Sequence, residues 1–218
     1  MIRVKLPVSF EDGKAMYDAV LALINKKSPA LARMIHSTET YNPFSIQLPD
    51  IVNALDIATE SIFRDMPNAT IERELSHIDL LKTQDCESSI ELNLKDVLFR
   101  PYSICYPLPD PAKIAISWKN AWNALFSERI PMAIPQIWER PFETNEGKYL
   151  SVVHANTRTR SVRIGNFNPF TVFSGNIRIK ANGDDEYRRQ FNILAKFAEF
   201  SGTGSKTQNG CGVTAIRG

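Results

Sequence analysis

Apolar residues alternate with polar ones in several short segments of the chain and recur at helical spacing between them. Residues 2–8 and 43–48 alternate in this way, which predicts two strands. Residues 11–27 predict a helix, because their apolar positions fall three or four residues apart on one face. Those positions are Tyr17, Val20, Leu21 and Ile24.

A second, short helix is predicted over residues 29–35, with Ser28 as its N-cap and Pro29 as its first residue. His36 falls at or just past the end of this helix. The pattern over residues 50–85 is ambiguous, since part of it has helical periodicity but also fits an irregular hairpin. Residues 90–94 alternate again as a strand.

The second half of the chain contains the clearest helices, over residues 113–126 and 185–200. Trp118 and Trp122 lie four residues apart in the first of them. That spacing is more typical of a buried helix face than of a surface on which bases stack.

Strands are predicted over residues 99–106, 170–180 and 212–217, and Gly175 is a candidate bulge in the second of them. Residues 149–164 predict a hairpin of two strands, 149–154 and 161–164. Its connection carries Asn156, Thr157, Arg158 and Arg160.

Each half of the chain therefore fits the order strand, helix, strand, strand, helix, strand. This order predicts an α+β protein of two tandem ferredoxin-like domains, each an antiparallel sheet with its helices on one face. We expect the domains to span residues 1–95 and 96–218. RNA-recognition domains share this architecture, but a fold alone does not define a function.

The composition fits a folded globule, with 43% hydrophobic and 23% charged residues among 218. No apolar segment approaches the length of a membrane span, so no membrane partner is expected. Cys86, Cys105 and Cys211 are an odd number of cysteines without metal-ligand spacing, which favours a reduced, cytoplasmic setting. We expect no metal ion and no other cofactor.

The charge is unevenly distributed along the chain. Residues 148–183 contain no Asp or Glu, and their basic residues are Lys148, Arg158, Arg160, Arg163, Arg178 and Lys180. Their local charge of +6 leaves −4 for the rest of the chain, because the total is +2. Such a basic band is typical of a nucleic-acid-binding face, although Arg and Lys also protect strand edges against aggregation.

Residues 202–218 hold five of the ten glycines, together with Lys206. Glycine permits positive φ and a close approach of the backbone, so N–H groups and a cation could contact phosphate oxygens here. This favours a polyanionic partner. The alternative is a flexible tail, against which residues 213–216 predict an anchoring strand.

A nucleotide-binding P-loop does not fit this segment, although it contains Ser205, Lys206 and Thr207. The two glycines that the motif requires before its lysine fall on Ser205 and Phe200. The segment also follows a helix and precedes a strand, which is the reverse of the P-loop order.

Several of these features together resemble the CRISPR-associated endoribonucleases that process repeat RNA, within the RAMP superfamily. They are the opening Arg3-Val4-Lys5-Leu6-Pro7, His36 after the first helices, Phe44-Ser45, Gly175, the helical Leu194-Ala195-x-Phe197-Ala198, and the terminal glycine run. The resemblance spans nearly the whole chain and is weakest over residues 50–110. It implies two ferredoxin-like domains, a glycine-rich loop against RNA, and metal-independent cleavage of precursor CRISPR RNA within each repeat.

The implied reaction is attack of a ribose 2′-hydroxyl on the adjacent phosphorus, which gives a 2′,3′-cyclic phosphate and a 5′-hydroxyl. The resemblance makes His36 the candidate general base or acid, a role that suits imidazole chemistry. Tyr41 is the second candidate catalytic residue, to orient the ribose or share a proton. No lysine lies between His36 and the Phe44-Ser45 strand, so the cation that supports the transition state is left open among Lys26, Lys27, Arg33 and Lys206.

The resemblance implies CRISPR repeat RNA as the partner. The predicted RNA-binding residues are Gly202, Gly204, Lys206, Gly210 and Gly212 in the loop, and Arg158, Arg160, Arg163, Arg178 and Lys180 in the basic band. His154, in a strand of the band, is the second choice of histidine after His36, with contact to RNA as its alternative role. An alternative function is a non-catalytic RAMP-type RNA-binding subunit of a crRNA-guided effector complex, with other subunits as partners. A third is a small-molecule-binding protein of this fold. The sequence also leaves a homodimer open.

Overall fold

A computed structural model describes residues 1–37, 42–100, 105–135, 147–165 and 168–217. These residues form two four-stranded antiparallel sheets, each covered on one face by helices. The predicted α+β architecture of two ferredoxin-like domains is confirmed.

The first domain contains four strands and three helices. Its elements are β1 (Ile2–Lys5), α1 (Gly13–Lys27), α2 (Pro29–Ser37), β2 (Phe44–Gln47), β3 (Ile51–Ala54), α3 (Ile57–Arg64) and β4 (Thr70–Glu74). The strand order is β2-β3-β1-β4. A short helix, α4 (His77–Leu81), leads out of this domain.

The second domain repeats this arrangement. Its elements are β5 (Ser89–Val97), α5 (Pro111–Leu125), β6 (Tyr149–Val162), β7 (Phe170–Asn182), α6 (Asp185–Ser201) and β8 (Val213–Arg217). Its strand order, β6-β7-β5-β8, is equivalent to that of the first sheet. Trp118 and Trp122 of α5 are fully buried, as their spacing predicted.

Two predictions about the second sheet were wrong. Its first strand is β5, which pairs with β7 and β8. Of the predicted strand over residues 99–106, residues 101–104 lie outside the described residues, and Phe99 and Tyr106 form an isolated bridge. A division at residues 95 and 96 would cut through β5, so we propose that the domains divide between α4 and β5. Local alternation identifies a strand but not its sheet, because the partners of β5 lie far along the chain.

The predicted hairpin over residues 149–164 is also wrong, because β6 is one continuous strand that pairs with β7 along its length. Arg158 and Arg160 therefore lie within a strand and not in a turn. β6 is the edge of the sheet, and much of it is exposed on both faces. The apolar alternation that marks a half-buried strand is consequently lost in its middle.

The domains are joined by the last turn of α6, which lies against the helix-free face of the first sheet. Arg3 donates to the Glu199 carbonyl oxygen at 2.5 Å, Gln47 donates to the same oxygen at 3.3 Å, and the Ser45 hydroxyl donates to the Phe200 carbonyl oxygen. These side chains satisfy carbonyl groups that a helix end leaves without partners. The corresponding face of the second sheet carries no such helix among the residues that the structure describes.

Candidate nucleic-acid interface

The helix-free face of the second sheet carries most of the predicted basic band. On β5, Ile90, Leu92 and Leu94 point into the core, so that Glu91 and Asn93 point to the opposite face. The strand register places the remaining side chains of this face in cross-strand pairs. The pairs are His154 with Arg178, Asn156 with Asn176, Arg158 with Ser174, and Ser151 with Lys180.

A groove of about 670 Å³ runs along this face. Its lining includes the side chains of Asn93, Asn156, Arg158, Arg160 and Ser174. Amides, hydroxyls and guanidinium groups are the side chains that contact phosphate and sugar in nucleic-acid complexes. The groove therefore has the chemistry of a nucleic-acid-binding surface.

The basic band contains no carboxylate in sequence, but two carboxylates lie beside it in the structure. Asp96 accepts two hydrogen bonds from Arg160, at 2.7 and 2.5 Å, and Glu91 pairs with Arg178 at 2.8 Å and with Arg217 at 3.9 Å. Both acids come from β5. The net positive charge of this face is therefore lower than the sequence indicated. Within the described ranges, the ion pairs of this face involve neither Arg158 nor Lys180, which keep their charge.

Asp96 lies in a bulge of β5, between Leu94 and Val97. The sequence predicted a bulge in the neighbouring strand β7, at Gly175, which pairs with Leu94. Its φ is 56°, which is rare for a residue with a side chain. Ser174 both accepts from the Asp96 N–H at 2.8 Å and donates to its carboxylate at 3.2 Å. Burial acts to raise the pKa of the Asp96 carboxyl, but the Arg160 hydrogen bonds and charge outweigh burial and hold that pKa below its usual value.

We predict that Asp96→Asn lowers the free energy of unfolding at neutral pH by about 1 kcal/mol. A carboxyl with a depressed pKa in the folded state stabilises the protein above its unfolded pKa of about 3.9, and this stabilisation is lost as the pH falls through the folded pKa. The difference between wild type and variant, measured by urea denaturation, should therefore shrink below about pH 4. A difference that stays constant down to about pH 3 would contradict this assignment.

The glycine-rich loop, residues 202–212, is closed by hydrogen bonds to the rest of the protein. The Gly202 N–H donates to the Ala198 carbonyl oxygen at 2.8 Å, and the Gly204 N–H donates to the Ser117 hydroxyl at 3.1 Å. The Gly210 N–H donates to the Thr207 carbonyl oxygen at 3.3 Å, and the Gly212 N–H donates to the Asp96 carbonyl oxygen at 3.0 Å. These four N–H groups are not available to phosphate in this structure. The prediction that they cradle RNA is corrected: the loop presents the side chains of Ser205 and Lys206 to solvent instead.

Glycine is needed in this loop because the backbone passes very close to other backbone segments. Gly212 has φ 72°, and a Cβ there would lie 2.0 Å from the Thr203 carbonyl oxygen. A Cβ on Gly204 would lie 2.5 Å from the Leu98 carbonyl oxygen. The glycines that resembled a phosphate loop therefore shape the connection between α6, β5 and β8.

We predict that Gly212→Ala lowers the free energy of unfolding by about 3 kcal/mol or more, because it combines a positive φ with a backbone clash. Gly147→Ala is the matched control, since Gly147 has φ 76° but a Cβ added to it would meet nothing within 4 Å. Urea denaturation of both variants separates the clash from the φ penalty. Equal losses in the two variants would show that the close approach at Gly212 is unimportant.

The loop and the helix-free face meet at Asp96. The Asp96 carbonyl oxygen accepts from Gly212, while its carboxylate accepts from Arg160. The far side of the loop contacts the first domain, where a Cβ on Gly13 would lie 1.9 Å from the Asn209 carbonyl oxygen. The loop therefore connects the basic face with the start of α1.

His36 lies in the last turn of α2 and is exposed. Its side chain lines a groove of about 710 Å³ between α1 and α2, which Arg33 also lines. Of the four cations that the sequence left open, Arg33 thus shares a groove with His36. Tyr41 lies outside the described residues.

His36 does not line the groove on the helix-free face. Met34, two residues before His36, and Asn42, six residues after it, line a separate cleft together with Gly202, Gly204 and Ser205 of the loop. The structure therefore brings the α2 end close to the loop, but it places the His36 side chain on the α1 side of that helix.

The family model described as "CRISPR-associated endoribonuclease Cas6" matches residues 96–214, which is more than half of the chain. The chain belongs to this family. No curated protein sequence matches it significantly.

Solved structures of Cas6 proteins share the fold of this chain. The product complex of Cas6 (TTHB231) of Thermus thermophilus has a TM-score of 0.77 at 20% identity, covering 99% of both chains. The Cas6 (TTHA0078) product complex has a TM-score of 0.74 at 16% identity, covering 100% of this chain and 99% of that one. A Cas6-related protein of Pyrococcus furiosus has a TM-score of 0.59 at 9% identity, covering 99% and 98%.

Sequence reasoning missed Asp96 and Glu91, two carboxylates on the helix-free face of the second sheet of this Cas6 family member. Both lie on β5, whose alternating part the sequence places in the first domain. The local signal is an Asp near the end of an alternating strand, and it does not indicate which residue the Asp pairs with. Arg163 and Lys180 are exposed, as expected of nucleic-acid contacts.

Among the described residues, no group of three His, Cys, Asp or Glu side chains is placed to hold a metal ion. No described helix has the length and apolar character to cross a membrane.

Proposed function

We propose that this chain binds CRISPR repeat RNA and cleaves it within the repeat by attack of a ribose 2′-hydroxyl on the adjacent phosphorus, without a metal ion. The observation that carries the proposal is the junction at Asp96, where the basic face and the loop that reaches the first domain are joined by hydrogen bonds. Family membership supplies the reaction class.

In the proposed reaction, a base removes the proton of the 2′-hydroxyl and a new O–P bond forms. The bond between phosphorus and the 5′-oxygen then breaks, and an acid protonates that oxygen. The products are a 2′,3′-cyclic phosphate and a 5′-hydroxyl. Holding the sugar for in-line attack and stabilising the charge on the phosphorane account for most of the rate enhancement.

His36 is the proposed acid or base, since it is exposed and lies at the end of a helix beside the loop. Arg33 is the proposed cation for the phosphorane, because it lines the same groove one helical turn earlier. Tyr41 stays a prediction for orienting the ribose. Lys206, Arg158 and Lys180 are proposed to contact phosphates, which sets affinity and not sequence preference.

The alternative is an RNA-binding subunit that does not cut. The position of His36 favours this alternative, because its side chain points into the α1–α2 groove and not into the cleft beside the loop. A protein described as "An RAMP protein binding different RNA substrates" has the same fold, with a TM-score of 0.57 at 11% identity.

The test is to incubate repeat RNA, transcribed from a CRISPR array, with the purified chain in excess EDTA. We expect a single cut, with a downstream fragment that polynucleotide kinase labels directly and an upstream fragment that resists phosphatase until acid opens its cyclic phosphate. Tight binding with intact RNA would support the non-catalytic subunit. Cleavage that requires a divalent cation would contradict the proposed mechanism.

A further inference from the structure

The side chain of Glu199, in the last turn of α6, joins an edge strand of one sheet to an edge strand of the other. One carboxylate oxygen accepts from the Arg73 guanidinium of β4 at 2.9 Å, and the other accepts from the Ile216 N–H of β8 at 3.2 Å. β4 is an edge of the first sheet, and β8 is an edge of the second. A single carboxylate therefore bridges the two domains.

The surroundings of Glu199 protect this bridge from solvent. Its side chain is 15% exposed, against 41% for that of Arg73. The Arg73 guanidinium lies 5.1 Å from the centre of the buried Phe200 ring, and the Arg3 guanidinium lies 5.3 Å from it. Salt screens a partly buried ion pair less than an exposed one, so we expect the bridge to persist at physiological ionic strength.

The first sheet holds the donors that receive the end of α6 in fixed positions. The Asn53 side-chain oxygen accepts from Arg3 Nε at 2.9 Å, and the Asn53 amide donates to the Ser45 hydroxyl at 3.0 Å. Asn53 is itself fully buried. Arg3 and Ser45 are thereby oriented toward the carbonyl oxygens of Glu199 and Phe200, which limits the arrangements that the two domains can adopt.

A second contact between the domains lies at the start of α1. A Cβ on Gly13 would lie 1.9 Å from the Asn209 carbonyl oxygen, and a Cβ on Gly210 would lie 3.5 Å from the Leu48 side chain. This contact alone would let the first domain pivot on the glycine-rich loop. The end of α6 contacts the opposite, helix-free face of the first sheet, so the two contacts together fix the orientation of the domain.

The position of His36 follows from that orientation. α2 buries Leu31, Ala32 and Ile35 in the core of the first domain, so His36 moves with this domain. The proposed phosphate contacts of β6 and β7 belong to the second sheet instead. The distance between the proposed reacting group and the proposed binding face is therefore set by the arrangement of the domains.

We propose that Glu199 is a positioning residue, whose carboxylate fixes the first domain against the second so that His36 reaches RNA bound on the second sheet. This inference rests on the proposed function, since it takes His36 as the reacting group. Glu199 acts through the domain arrangement and contacts neither the RNA nor the reacting atoms.

Glu199→Ala should lower the rate of repeat-RNA cleavage at saturating protein by about tenfold to a hundredfold, because a displacement of about 1 Å at a reacting group has an effect of this size. RNA affinity should change by less than about threefold, since the phosphate contacts on the second sheet are untouched. A purely structural role would lower the melting temperature and leave the rate of the folded protein unchanged, so the rate is measured well below the melting temperature of each variant.

Arg73→Ala breaks the same contact from an exposed residue and keeps the inference testable if Glu199→Ala fails to fold. The double variant should be no slower than Glu199→Ala, because the two residues share one contact. Arg73→Lys should recover most of the rate, since a lysine also donates a charged hydrogen bond. Glu186→Gln is the matched control on the same helix, where Glu186 pairs with Arg189 and Gln190 of α6, and it should leave the rate unchanged.

The domain arrangement is measured directly by double electron–electron resonance. One nitroxide is placed on Ala19→Cys, an exposed position of α1, and the other on the exposed Cys86, in a chain that carries Cys105→Ser. We expect one narrow distance distribution in this otherwise wild-type chain and with Arg73→Lys. The distribution should broaden with Glu199→Ala and with Arg73→Ala.

An unchanged distribution in both alanine variants would overturn the inference, and so would a broadened distribution with an unchanged cleavage rate. These outcomes are separable from failure of the proposed function. If the wild-type chain does not cleave repeat RNA, the nuclease assignment fails. The distance distributions then decide by themselves whether Glu199 fixes the domain arrangement.

Discussion

His36→Ala should lower the rate of repeat-RNA cleavage by a factor of about 10² to 10⁴, the contribution that a general acid or base makes to such a step. RNA affinity and thermal stability should stay close to those of wild type, because the side chain is exposed and packs in no core. Single-turnover kinetics at saturating protein, with EDTA present, measure the chemical step apart from binding.

His154→Ala is the matched control for this prediction. His154 is also exposed, but it lies opposite Arg178 on the helix-free face of the second sheet. Its replacement should weaken RNA binding and leave the saturated rate unchanged. The reverse result, with an inactive His154 variant and an active His36 variant, would place the catalytic residue on the second sheet and contradict the role of His36.

The double variant Arg158→Ala with Lys180→Ala should weaken RNA binding about a hundredfold or more at low salt. Each charged hydrogen bond contributes about 1.5–3 kcal/mol, and neither residue is neutralised by a carboxylate among the described residues. The slope of log affinity against log salt should fall by about 2, one unit for each phosphate contact.

Two further variants make this prediction specific. Arg64→Ala with Lys82→Ala removes the same charge from the first domain, where Arg64 pairs with Glu74, and should leave RNA affinity nearly unchanged. Arg160→Ala should affect affinity less than Arg158→Ala, because Arg160 is already bound to Asp96. An equal loss in the Arg64 and Lys82 variant would mean that the overall charge, and not the helix-free face, governs binding.

The sequence predicted the fold because its signals were local. The alternation of residues 2–8 and 43–48, the helical spacing of Val20 and Ile24, and the tryptophan pair of α5 each identify an element by its own period. Repetition of the same order of elements then limits the topology to a few arrangements.

What the sequence could not predict depends on partners far along the chain. β5 belongs to the second sheet because its backbone pairs with β7 and β8, and nothing within residues 89–97 specifies that. The charge of the basic band was overestimated for the same reason, since its acids, Glu91 and Asp96, come from β5.

The glycine-rich loop shows a second limit of inference from sequence. A run of glycines indicates that the backbone approaches another group closely, but not which group. Here the close contacts of Gly204 and Gly212 are with Leu98 and Thr203 of the protein itself. The N–H groups of these two glycines donate to the Ser117 hydroxyl and the Asp96 carbonyl oxygen, so we propose that exposed side chains make the RNA contacts.

The structure also distinguishes the two sheets, which the repeated pattern does not. The last turn of α6 covers the helix-free face of the first sheet through Arg3, Ser45 and Gln47. The equivalent face of the second sheet keeps Arg158 and Lys180 exposed. One domain therefore supplies the proposed binding face, and the other supplies the proposed catalytic histidine.

In the proposed complex, RNA lies on the helix-free face of the second sheet and continues over the loop toward α2. Hydrogen–deuterium exchange of the full chain, with and without repeat RNA, is the decisive measurement of this path. We expect slower exchange in β6, in β7 and in residues 205–208 on binding, with β1 to β4 unchanged. Protection confined to the first sheet or to α3 and α4, with β6 and β7 unaffected, would contradict it.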